Sequence, residues 1–326
     1  MSNTYKDIVK TTTDSLKEKL LGLENAIKQN VIGQDQVLPV IIKTLERGEL
    51  GLTYDNDRPK PKGAFLFLGP TGVGKTELAL TFTHYLYGED CLYRFDMSEF
   101  MHFDSIKQFL GDETGSFGRL GNILENNNYG TLLFDEMEKA HSQIMDVFLS
   151  IMDAARITLG NGKTYDLSNY YIVFTSNIGA NRIPETGTVM TTTLERGIKA
   201  ELFKKLRKEM IARFSAVCIF KQLGYDIQKG IAHTLIKKEL FRIKQKGCNI
   251  SYDDSAFNFI VRNGIQEGLG VRPLRDTIHR SVGDAIADVM LRGNKEPHGT
   301  LNYDKSNNCL RIDHKQLCST DYIDIG

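Results

Sequence analysis

The stretch "GPTGVGKT", Gly69 to Thr76, satisfies the pattern G-x-x-x-x-G-K-[ST] at every fixed position. "AFLFL" before it reads as a buried strand and "ELALTFTHYL" after it as a helix, which is the setting the pattern needs. The glycines let the backbone curl until its N–H groups aim at phosphate oxygens, and the following helix adds the positive end of its dipole. Gly72, Val73 and Gly74 are therefore expected around the phosphates. Lys75 would neutralise β/γ-phosphate charge, and Thr76 would offer its hydroxyl to Mg²⁺.

Two further strand ends supply matching chemistry. "TLLFDE" is an apolar strand that finishes in Asp135 and Glu136, at the carboxyl end where open sheets bind ligands. Asp135 suits the Mg²⁺ shell, and Glu136 suits the polarisation of an attacking water. "YYIVFTSN" finishes in Asn177, whose amide could orient that water or simply form a turn. Its place as the third polar strand end favours the first role.

Such residues need a sheet behind them. The apolar strands "AFLFL", "LYRFDMS", "TLLFDE" and "YYIVFTSN" alternate with helical patterns, which argues for an α/β fold with a mainly parallel sheet covered on both faces. Upstream, Leu16, Leu20, Leu23 and Ile27 recur at helical spacing, Gly33 breaks that helix, and another starts near Val37. "NDRPKPKG", Asn56 to Gly63, reads as a linker. After Phe220 the pattern becomes helical, with "GTLNYDKSNNCLRIDH" as a short hairpin. The expected division is a helical leader at 1–30, a nucleotide-binding domain at 31–223 and a smaller, mainly helical domain at 224–326, with the boundary near Leu223 and Gly224.

Composition excludes several classes. The chain has 326 residues, and its 41 basic and 41 acidic residues leave a formal charge of zero. No whole-protein field therefore draws it to nucleic acid or an anionic membrane. Five cysteines form no CxxC pair and no metal-ligand spacing, which suits reduced thiols in a cytoplasmic protein. The polar start lacks the apolar core of a signal peptide, and no run is long enough to span a bilayer.

"VIGQ", "GPTGVGKTELA", "DMSEF", "LLFDEMEKAH", "TSNIGA" and "GVRPLR" occur in the order found in the Clp/heat-shock AAA+ ATPases. From about Leu16 to Arg292 the chain resembles the second ring domain of ClpB and ClpA. The resemblance implies an AAA+ P-loop fold with a small C-terminal lid. It also implies ATP and Mg²⁺ as cofactors, a hexameric homo-oligomer, and a motor that pulls protein substrates through a pore.

It implies roles for further residues. "LRKEMIARF" sits at the arginine-finger segment and places Arg213 as the group that reaches the next subunit's γ-phosphate, although Lys208 replaces a usual proline and Ala212 a usual asparagine. Arg272, before Pro273, would touch phosphate from the lid. Val31 and Ile32 would line the adenine pocket or serve as ordinary core. "GSFG", Gly115 to Gly118, stands where the family writes Gly-Tyr-Val-Gly, so Ser116 takes the tyrosine's place and Phe117 follows. Phe117 is then a pore contact or a ring packed locally. "LGNGKTYD" resembles the lower pore loop, where Lys163 would touch substrate or be solvated.

Between Asn177 and Arg213 there is no Ile-Gly-Phe/Leu tripeptide of the kind that docks a ClpP-type peptidase. The departures at the pore loop favour a divergent single-ring protein over an excised ring. Two alternatives compete with a protein remodeller. One is a nucleic-acid motor, suggested by the basic "KAELFKKLRK" and "KKELFRIKQKG", which solvated helix faces explain more simply. The other is an ATP-gated assembly subunit that threads nothing.

Overall fold

A computed structural model describes residues 2–53, 59–293 and 297–313, with side chains from Ser15 onward. The chain divides into two compact units, Met1–Gln222 and Leu223–Gly326. Residues 56–58 of the expected linker lie outside the described residues.

The larger unit begins with α1 (Ser2–Asn30) and α2 (Leu38–Glu49). Leu20, Leu23 and Ile27 bury one stripe of α1, while Glu24 and Lys28 pair on its outer face at 2.6 Å. The chain continues through β1 (Gly63–Leu68), α3 (Lys75–Tyr87), β2 (Leu92–Asp96), α4 (Ser105–Leu110) and α5 (Gly118–Asn126). Next come β3 (Gly130–Asp135), α6 (Ser142–Ala154), β4 (Arg156–Thr158), β5 (Thr164–Asp166) and β6 (Tyr170–Ser176). It closes with α7 (Thr192–Lys205), α8 (Lys208–Ile211) and β7 (Ala216–Ile219).

Five strands form one parallel sheet in the order β2-β3-β6-β1-β7. β1, β3 and β6 are buried at every position, as continuous apolar runs require when both faces are covered. Register brings the polar ends together: Asp96 lies opposite Asp135 and Leu68 opposite Ser176, so the loops after β1, β3 and β6 leave from one edge. β7 did not declare itself in the sequence. It is four residues long and lies at the sheet's edge, where Val217 is exposed.

The smaller unit contains α9 (Tyr225–Lys244), β8 (Asn249–Tyr252), α10 (Asp254–Gly264), α11 (Arg272–Leu291), β9 (His298–Asp304) and β10 (Cys309–Asp313). β9 and β10 form the expected hairpin, and β8 adds a parallel strand against β9. Asp253 caps α10 by accepting from the Ala256 N–H at 2.9 Å. Ala232, Ile236, Ile260, Leu274 and Val282 make the centre of this core.

No helix among the described residues is long and apolar enough to cross a membrane. Cys91, Cys218, Cys248 and Cys309 carry free thiols, and burial pushes the Cys218 thiol up to about 12.

Phe134, one residue before Asp135, fixes the position of β3. Its ring lies 4.6 Å from Phe148, 5.3 Å from Phe174 and 5.4 Å from Phe95. Truncation would leave a large cavity under the acidic pair. Phe134→Ala is expected to lower unfolding stability by about 3–5 kcal/mol, measured by urea denaturation.

Candidate nucleotide site

β1 ends at Leu68, and the loop after it turns into the N-terminus of α3 at Lys75. Gly72 (φ +71°) and Gly74 (φ +101°) adopt left-handed conformations that a side chain would strain, and Gly74 is the residue from which α3 starts. The loop therefore leads into the first turn of α3, the end of a helix whose N–H groups and dipole suit an anion. Lys75 is buried, with its ammonium 2.5 Å from the Gly69 carbonyl, 2.8 Å from that of Pro70 and 3.0 Å from Asn177 Oδ1. Thr76 follows, half-buried in the first turn of α3.

The ends of β3 and β6 are cross-linked by side chains. Thr175 donates its hydroxyl to Asp135 Oδ1 at 2.5 Å and accepts the Glu136 N–H at 3.1 Å. Arg94 grips the other Asp135 oxygen, with Nε at 2.7 Å and a terminal nitrogen at 2.5 Å. Asp135 is thus buried with both oxygens held, which offsets the cost of removing its charge from water. Glu136 stands in a left-handed conformation (φ +55°) and breaks the strand direction. Its carboxylate accepts from Asn177 Nδ2 at 3.3 Å and pairs with Lys139 at 2.5 Å. The Asn177 N–H donates to Glu138 at 3.1 Å. His141 caps α6 by accepting from the Gln143 N–H at 3.3 Å.

Lys75, Asn177 and Glu136 therefore form a continuous polar chain, with Asp135 on the adjoining residue. Asp135 and Thr76 are oxygen donors of the type a hard ion such as Mg²⁺ accepts, usually from few protein ligands with several waters retained. These residues fit Mg²⁺–triphosphate. When bound, Mg²⁺ would neutralise charge on the β- and γ-phosphate oxygens.

A buried amide supports the loop from behind. Gln34 is fully enclosed, and its Nε2 donates to the carbonyls of Val73 (3.1 Å) and Lys221 (2.9 Å). Its Oε1 accepts the Lys221 N–H at 3.0 Å. Val31 is buried beside Gly74, and Ile32 is half-buried.

The other expected residues stand on other elements. Arg213 follows α8, exposed and ion-paired with Asp153. Arg272 is exposed at the first position of α11, in the smaller unit. Phe117 is not in an extended loop: at φ −77° and ψ −16° it is helical, immediately before α5, and 37% exposed. The loop's base is closed tightly, because Gly118 (φ +63°) leaves no room for a Cβ against Gly111 and Phe109. Lys163 is committed to an ion pair with Glu125 of α5, which also accepts from the Tyr165 hydroxyl. The Gly160 N–H donates to the Leu110 carbonyl at 3.0 Å, so the β4–β5 hairpin and the Phe117 loop are fastened together.

Residues 60–217 match the family described as AAA domain (Cdc48 subfamily), and residues 223–303 match the C-terminal, D2-small domain of ClpB protein. The chain belongs to the Clp/heat-shock AAA+ ATPases. The chaperone protein ClpB of Vibrio vulnificus (strain CMCP6) is 35% identical over 291 residues, covering 86% of this chain and 33% of that protein. The ClpA homologue of Cyanidium caldarium, an ATP-dependent Clp protease ATP-binding subunit, is 32% identical over 87% of this chain and 35% of its own length. A solved closed state of Hsp104 with ATPγS and FITC casein superposes with a TM-score of 0.78 at 30% identity, covering 91% of this chain and 52% of that one. The chain spans about a third of the length of the curated relatives it matches.

For a Clp-type AAA+ site, the residues that sequence reasoning passed over are Gln34, Arg94 and Thr175. All three stand inside VIGQ, LYRFDMS and YYIVFTSN, but their partners lie on other strands or loops. Thr175→Val keeps the shape and removes the bridge between Asp135 and the Glu136 N–H. It should slow ATP hydrolysis about tenfold, equivalent to roughly 1–2 kcal/mol, while ATP binding changes less, as read by steady-state kinetics beside fluorescent-nucleotide titration.

Proposed function

We propose that the protein is an ATP-hydrolysing protein remodeller that works as a homo-hexameric ring with active sites at subunit interfaces. The observation that carries this reading is the strand-end network: Lys75, Asn177, Glu136 and Asp135 stand together, while Arg213 projects elsewhere on the surface. A site with its lysine, acid pair and amide in place gains from a second cation at the γ-phosphate. A guanidinium on a neighbouring copy has the fixed charge and planar fork for that task. Glu136 is the proposed base toward water and Asn177 its orienting amide, with Val31 and Ile32 beside the adenine.

The proposed division is a leader at 1–30, a nucleotide-binding domain at 31–223 and a lid at 224–326 carrying Arg272 toward phosphate. ClpB and ClpA relatives, and a solved neighbour holding casein, support a protein substrate. The sequence between Asn177 and Arg213 supplies no tripeptide for a ClpP-type peptidase. A cytoplasmic setting suits the free thiols. Nucleic acid is disfavoured as substrate, because Arg207 and Arg242 of the basic segments are ion-paired within the chain and net charge is zero. The half-exposed helical setting of Phe117 keeps one second reading in play, an ATP-gated assembly subunit that threads nothing.

Phe117→Ala separates the two. For a threading motor, the number of fluorescent reporter molecules unfolded per ATP hydrolysed should fall about fivefold or more. An unchanged ratio would leave the gated subunit as the better account.

A further inference from the structure

The segment that carries Arg213 is fastened to α6 at two points. Arg207 reaches Asp146 at 2.5 Å, and the Arg213 guanidinium pairs with Asp153. Asp146 and Asp153 are two helical turns apart, so both carboxylates leave the same face of α6. Between the arginines, Met210 is buried and its carbonyl accepts the Arg213 N–H at 3.1 Å. Immediately after Arg213, the Phe214 ring packs edge-on against Phe174 at 5.5 Å, and the Ser215 N–H donates to the Ala64 carbonyl at 2.7 Å. The backbone on each side of Arg213 is therefore fixed to the sheet and to α6. What remains free is the long side chain, and among the described contacts its direction is set by Asp153.

Both side chains of that pair are 41% exposed. Ion pairs so open to water contribute little to stability. Their geometric effect is larger, because a carboxylate fixes the plane and heading of a guanidinium that would otherwise sample many rotamers. A group that must meet a phosphate on another molecule gains from such preorganisation.

We propose that Asp153 is a positioning residue for the finger: its carboxylate holds the Arg213 guanidinium at the heading from which it meets a neighbouring subunit's γ-phosphate. The Asp146–Arg207 pair fixes the segment behind it. The proposal rests on the shared-site reading above and adds a residue that acts for the neighbour's site rather than its own.

Mixed assemblies separate this role from a structural one. Asp153→Asn keeps its own nucleotide site and loses the heading of its finger, whereas Glu136→Gln has an idle site and an intact finger. Alone, Asp153→Asn should hydrolyse ATP about tenfold more slowly than the unaltered protein, with ATP affinity unchanged. Mixed with an equal amount of Glu136→Gln, its rate per Asp153→Asn chain should rise about threefold or more, because neighbours now lend correctly aimed fingers. A merely structural defect inside the altered chain would gain nothing from a neighbour. Arg213→Ala, mixed in the same way, calibrates the experiment. Rescue of Arg213→Ala without rescue of Asp153→Asn overturns the positioning role and leaves the shared site standing. An undiminished rate for Asp153→Asn alone overturns it equally. If neither variant is rescued, the shared-site reading falls and the proposal falls with it.

Discussion

One hydroxyl holds the chemistry of the larger unit in register. Thr175 sits between β3 and β6, donates to Asp135 and accepts from the backbone of Glu136. That geometry exists only if the two strands are parallel neighbours in the observed register, with Phe134 beside Phe174. A slip of one residue would exchange the faces of the strand and remove the bridge. The aromatic cluster beneath β3 supplies the resistance to such a slip. Packing and the proposed nucleotide site thus meet within two residues, Phe134 in the core and Asp135 at the edge.

Around that bridge, buried charge is balanced rather than avoided. Asp135 lies between a hydroxyl and a guanidinium, and Lys75 lies among two loop carbonyls and the Asn177 amide. Each group is held by partners that a phosphate or a cation can supplement or displace. Gln34 extends the same logic backwards: fully buried itself, it joins the phosphate loop to the segment at Lys221 through three hydrogen bonds.

Legibility in the sequence followed the range of each interaction. The phosphate loop, its strand and its helix lie within one short stretch, and local periodicity with fixed spacing disclosed them. The strand ends at Asp135, Glu136 and Asn177 were legible because apolar runs stop there. Arg94, Thr175 and Gln34 were not, since their roles depend on which strands and loops become neighbours, a choice made by tertiary packing. β7 and β8 are too short to show a period and are fixed by pairing alone. The setting of Phe117 was hidden for a further reason: its backbone is helical immediately before α5, and a residue-by-residue match to a motif does not disclose that conformation.

The same logic explains why the chain looks unfinished by itself. Its acid pair, lysine and amide converge, yet Arg213 is held at the surface, away from them and aimed by Asp153. In the proposed assembly another copy completes the site. The most direct measurement is the solution mass of Glu136→Gln, with and without ATP, by light scattering, because this substitution slows hydrolysis and preserves the ATP state. ATP-dependent assembly into a closed ring of about six copies is expected. A variant that binds ATP and remains a monomer would contradict it.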